Sequence, residues 1–202
     1  MSENWLGQTL EYGKEKKEKP EFLYHASVNK DISELRPQSK RVRDENEGSV
    51  VFATPDYALA TVFMTEHNDS WTHSGKFCGI PFFVINGREK FMQSDKGGSI
   101  YKISSDGFEF DPNKGMGENE WVNSDPVKII EKRDYPSALD AMISEGVQVY
   151  FVEDDFFAEF NKASNESNID RMFEMIGGVE SENKKLNINV KGFDENEKQK
   201  YL

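Results

Sequence analysis

The stretch SVVFATPDYALATVF, residues 49–63, changes period in its middle. Val50, Val51 and Phe52 are β-branched or aromatic and predict a strand over 49–54. After it, Ala58, Leu59, Val62 and Phe63 fall at helical spacing. Thr54-Pro55-Asp56 separates the two periods. It reads as a helix start, with Thr54 as N-cap and Pro55 at the first helical position, and the helix runs to about Thr65.

Working outward, EFLYHAS (21–27) is an apolar strand that ends on His25 and turns into two small residues. IPFFVI (80–85), SIYKIS (99–104), GFEF (107–110), the run around Val127–Ile130 and VQVYFV (147–152) also read as strands. PSALDAMISEG (136–146) is a helix opened by proline and stopped by Gly146, DDFFAEFNKA a second, and NIDRMFEMIGG a third. KGGS and KGMGE lack the strand–turn–helix setting of a phosphate loop and read as turns. Strands outnumber helices and do not alternate with them. The expected class is therefore α+β, with antiparallel or mixed small sheets around a cleft bordered by 22–27 and 49–54. The expected organisation is a polar arm over 1–20, one domain over 21–164, and a polar C-terminal extension over 165–202 in which LNINV could add an edge strand.

The chain has 202 residues, 12% of them aromatic, enough for a core of moderate size. Its formal net charge of −12 opposes double-stranded nucleic acid, whose binding rests on cationic neutralisation of phosphates, although an acidic decoy of DNA would share it. Cys78 is the only cysteine, so neither an internal disulfide nor a cysteine-based zinc site is expected. His67 and His73, in EHNDSWTHSG, read as solvated members of a polar loop. No apolar run approaches the ~20 residues of a membrane span. The N-terminus has no apolar h-region of a secretory signal. A cytoplasmic protein, or a soluble effector delivered without a classical signal peptide, is the expectation.

Three pieces carry chemistry: YHAS at one strand end, VVFATPD leading into YALATVF, and GENEWVNSDPV opening a late strand. Read plainly, His25 is a polar strand end, Glu120 a surface acid, Phe52, Phe63 and Trp121 packing residues, and SKRVR (39–43) a solvated loop. No serine or cysteine with an obvious base suggests a hydrolase triad.

Taken in order, the three pieces resemble the ADP-ribosyltransferase superfamily, in its poly(ADP-ribose) polymerase and diphtheria-toxin-like branch. The matching residues are His25-Ala26-Ser27, Phe52-Ala53-Thr54 with the following helix, and Asn119-Glu120-Trp121, so the resemblance spans roughly residues 22–152. It implies NAD as substrate, no metal, and transfer of ADP-ribose to an unknown protein acceptor. Glu120 would be catalytic, stabilising the oxocarbenium character of the ribose. His25 would hold the adenosine ribose, the backbone of Ala26 would pair with the carboxamide, and Ser27 would also be cofactor-binding. Phe52, Tyr57 and Phe63 would supply aromatic faces. Glu118 echoes the E-x-E of arginine-modifying members. Trp121, Arg41 and Arg43 would be secondary or acceptor contacts. The strand tyrosine of the pattern falls at Val51, its helix serine near Leu59, and Ala26 stands for its glycine. The resemblance thus implies two outcomes: an active transferase, or a catalytically silent domain of the same fold that binds a nucleotide or a protein. RNA 2′-phosphotransferase chemistry shares the fold but needs several basic residues.

Overall fold

A computed structural model describes residues 18–38, 48–65, 70–77, 79–112 and 114–183. The expectations placed on Arg41, Arg43, His67, Cys78, LNINV and most of the N-terminal arm lie outside these residues, as does the side chain of Glu118. Among the described residues no helix is long and apolar enough to cross a membrane.

The architecture is mixed α/β with antiparallel and mixed sheets. In chain order the strands are β1 (Phe22–Ser27), β2 (Glu34–Leu35), β3 (Val51–Ala53), β4 (Thr72–Phe77), β5 (Ile80–Asn86), β6 (Gly98–Ser104), β7 (Trp121–Asn123), β8 (Val127–Tyr135) and β9 (Gln148–Val152). The helices are α1 (Tyr57–Val62), α2 (Arg88–Ser94), α3 (Ala138–Glu145), α4 (Asp154–Asn165) and α5 (Ile169–Gly177), with a 3-10 turn at Gly117–Asn119. An antiparallel sheet has the order β1-β6-β8-β2, a ribbon pairs β3 with β7, and a mixed sheet runs β4-β5-β9 with β5 and β9 parallel.

Both edges of the four-stranded sheet reach the same segment. Tyr24 and Thr54 exchange backbone hydrogen bonds of 2.8 and 2.9 Å, and Gln38 N–H donates to Val50 O at 3.1 Å. These bridges curl the sheet into a half-barrel around Leu23, Leu35, Val51, Ala53, Ile103, Phe108, Trp121 and Val127. Its other face, through Tyr24, Ala26 and Ile100, packs on α1 and α3, and those helices meet Phe83, Ile85 and Val149 of the mixed sheet. The opposite face of the mixed sheet, through Phe82, Val84, Tyr150 and Val152, packs on α4 and α5. Strand β5 is therefore buried on both faces, which is why IPFFVI is apolar at every position rather than alternating.

Several expectations change. The N-cap of α1 is Asp56, whose Oδ1 accepts from Leu59 N–H at 3.0 Å, while Thr54 Oγ1 accepts from Asp56 N–H at 3.2 Å. Pro55 thus precedes the cap instead of opening the helix, and the helix ends at Val62. GFEF is not a strand; only Glu109 bridges to Val122. His73 is not solvated: THSGKF is strand β4, and His73, Gly75 and Phe77 lie opposite Val84, Phe82 and Ile80. The His73 ring stacks on Phe82 and meets Phe160 edge-on at 5.2 Å, and its Nε2 lies 3.3 Å from Ser164 Oγ. Gly75 is required there, because a Cβ would stand 2.9 Å from the Phe82 ring. Within the segment expected as a polar C-terminal extension, the residues as far as Asn183 pack on the rest of the chain. Helix α5 buries Met172, Phe173, Met175 and Ile176 in the second core, and the buried Asn183 side chain donates to Ile143 O and Val147 O.

Candidate functional site

Strand β1 pairs with β6 along its whole length, Phe22 with Ser104 through Ser27 with Ser99. With β3 it shares only the Tyr24–Thr54 bridge. In an antiparallel ladder, residues alternate in which side their N–H and C=O address. Those of Tyr24 point to β3, so those of Ala26 do too. Among the described residues no strand continues the ladder opposite Ala26. The carbonyl of Phe52, which a continuing ladder would give to Ala26 N–H, lies instead 2.7 Å from His25 Nδ1. A carbonyl only accepts, so the Nδ1 of His25 carries the proton. Beyond His25 the two strands part, and Ala26 leaves a donor and an acceptor facing the gap.

Ser27 serves the turn that follows. Its Oγ accepts from Asn29 N–H at 3.1 Å, and Asn29 O accepts from the buried Tyr101 hydroxyl at 2.7 Å. Tyr57, at the start of α1, lies edge-on to Tyr24 with ring centroids 4.9 Å apart. Its hydroxyl is 3.0 Å from that of Tyr135, which donates to Glu145 Oε1 at 2.9 Å. Since Tyr135 spends its proton on Glu145, Tyr57 is the donor between the two rings. Burial, then the bonds to Tyr57 and Glu145, pushes the Tyr135 hydroxyl far above the usual tyrosine range, so it stays neutral. Phe63 caps the opposite end of α1 and packs against the core there. Phe52 is half-buried, and Trp121 belongs to the half-barrel interior, with its ring 4.8 Å from that of Phe110.

Glu120 follows the 3-10 turn and precedes β7. Its N–H donates to Gly117 O at 3.0 Å and its backbone is extended. Trp121 pairs with Ala53, which sets Glu120 beside Thr54 and Thr54 beside Tyr24. Glu120 and His25 are therefore two strand spacings apart, about 10 Å between backbones. Pleat alternation sends Glu120 to the face of Thr54 and His25 to the face of Ala53.

One interaction that the sequence does not announce joins these parts. Lys76 Nζ of β4 lies 2.6 Å from Asp56 Oδ2 and donates to Asn119 Oδ1 at 3.3 Å. Asp56 was visible in TPD as a helix-start residue, but nothing local in THSGKF marks Lys76, because its partners lie 20 and 43 positions away. Among the described residues no group of three His, Cys, Asp or Glu side chains could hold a metal ion. Compared with protein-family models, curated proteins and solved structures, the chain matches none.

Proposed function

We propose that the chain binds NAD, or a closely related dinucleotide, at the gap where β1 leaves β3, and transfers its ADP-ribose to a protein acceptor. The observation that carries this reading is the parting of the strands after Tyr24–Thr54. It exposes the N–H and C=O of Ala26 together, a donor–acceptor pair that complements the C=O and NH2 of a carboxamide. His25 stands at the rim of the same gap with its ring held by Phe52 O. In the reaction the C1′–N bond breaks and its electron pair leaves with nicotinamide. An acceptor nucleophile, or water, bonds to C1′ and gives up a proton. Positive charge grows on the ribose, and the Glu120 carboxylate lowers the barrier by opposing it.

A second reading, a silent nucleotide-binding domain, is favoured by two observations. Val51 and Leu59 stand where the resembling family places a tyrosine and a serine, and they are 3% and 0% exposed. The pleat also sends Glu120 and His25 to different faces of the ladder.

A calorimetric NAD titration run beside a nicotinamide-release assay separates the two. For the transferase, Glu120→Gln lowers turnover by about two to three orders of magnitude with NAD affinity little changed, and His25→Ala weakens NAD binding. NAD binding without nicotinamide release selects the silent domain. Absence of both ends the assignment.

A further inference from the structure

Resting on the transferase reading above, we propose that Lys76 is a positioning residue that fixes the turn carrying Glu120. Three chain segments meet at its ammonium. Asp56 comes from the cap of α1, Asn119 from the 3-10 turn, and Lys76 itself from β4 of the other sheet. Asn119 is the residue immediately before Glu120. Within the turn, Asn119 N–H donates to Met116 O at 3.2 Å and Glu120 N–H to Gly117 O at 3.0 Å, and the Trp121–Ala53 pair follows at once. Gly115 and Gly117 both have positive φ, 54° and 57°, so the turn's backbone leans on residues with little intrinsic preference for one conformation.

Charge makes the clamp necessary. Asp56 and Glu120 fall on the two segments that Lys76 joins. Without a cation between them, like charges would push the Glu120 turn away from the α1 cap. The Lys76 and Asp56 side chains are 22% and 20% exposed, so solvent screens their attraction less than at an open surface. Asp56 divides its two oxygens: Oδ1 caps Leu59 N–H and Oδ2 receives Lys76. Its position is thereby set by the helix, and Lys76 transmits that position to Asn119. A displacement of Glu120 by about 1 Å would reduce turnover by up to about a hundredfold while leaving a ligand held by Ala26 and His25 in place.

The test uses the full chain with NAD itself, comparing Lys76→Met, Lys76→Arg and Asp56→Asn with the unmodified protein. Asp56→Asn keeps a capping oxygen and removes the charge. Amide hydrogen exchange at Glu120 and Trp121 reads the turn directly, and the thermal midpoint reports whether the fold is kept. Lys76→Met and Asp56→Asn are expected to speed exchange at Glu120 at least about tenfold. Saturated nicotinamide release should fall by about ten- to a hundredfold with NAD affinity within about threefold. Lys76→Arg, which can still reach two oxygens, should restore both readouts. Unchanged exchange at Glu120 in Lys76→Met overturns the proposal, as does a loss of NAD affinity equal to the loss of turnover. If the unmodified protein releases no nicotinamide, the transferase reading falls, and exchange at Glu120 still decides whether Lys76 positions the turn.

Discussion

Asp95 joins two elements through one side chain. Its carboxylate accepts from Ala138 N–H at 2.7 Å, Leu139 N–H at 3.1 Å, Ser137 Oγ at 2.9 Å and Gly97 N–H at 2.9 Å. It therefore satisfies the first turn of α3 from outside the helix, in addition to the N-cap Ser137. Burial alone would raise its pKa, but the three backbone N–H bonds and that of Ser137 outweigh burial and hold it below the usual carboxylate value. Because the folded pKa is the lower one, this stability is present above the unfolded value of about 4 and is lost as pH falls through the folded pKa. Unfolding by urea between pH 7 and pH 2.5 should therefore show a steeper acid loss in the unmodified protein than in Asp95→Asn. Equal slopes would mean that Asp95 is not the group responsible. Gln148 is the opposite case. It is 1% exposed, and neither its Nε2 nor its Oε1 has a hydrogen-bond partner. It pairs with Phe82 and shares the pleat face of Tyr150 and Val152, toward the second core. Gln148→Met keeps the length and removes both orphaned groups. It should raise stability by about 1–2 kcal/mol in denaturant titration, and a fall would sink this account.

At the scale of elements, the half-barrel depends on how closely β1 and β6 approach at their far end. A Cβ on Gly98 would stand 2.5 Å from Ser27 O and 3.1 Å from Met64 Cβ. Backbone oxygen cannot move aside without opening the β1–β6 ladder next to His25–Ser27. Gly98→Ala is therefore expected to cost about 3 kcal/mol, read as a lower thermal midpoint. A neutral result would show that the ladder end is loose. Two elements that escaped the sequence reading carry too few apolar side chains to show a period. Helix α2 has seven residues and buries only Phe91, so no period can be counted along it. Strand β4 faces the core through His73, Gly75 and Phe77, and a histidine and a glycine do not register as an apolar alternation. Both are held by tertiary contacts: Phe91 against Phe83 and Phe151, and β4 through six pairings with β5.

At the scale of the whole molecule, α4 and α5 close a core that would otherwise be an exposed aromatic face. The Phe77 ring stands between those of Phe82 and Phe173, with centroids 4.2 and 4.3 Å away. A chain ended at Ser164 would bare Phe77, since Phe173 leaves with α5. It should lose cooperative thermal unfolding and bind a hydrophobic dye, whereas a compact cooperative truncation would place the domain boundary at 164 after all.

The features legible in the chain are those written in neighbouring residues. The largely apolar β5 and β9, the strand ending YHAS, the helices α3, α4 and α5, and the stop at Gly146 are all local, and each is present. The order of motifs from His25 to Glu120 was equally visible. How they meet is set by long-range packing. The bridge of Tyr24 to Thr54, the loss of the ladder at Ala26 and the Lys76 clamp each join residues dozens of positions apart. Period and propensity report on side chains a few residues apart, whereas strand register and the reach of a lysine depend on the packing of both cores. A backbone donor left facing a gap has no signature in the identity of its own residue.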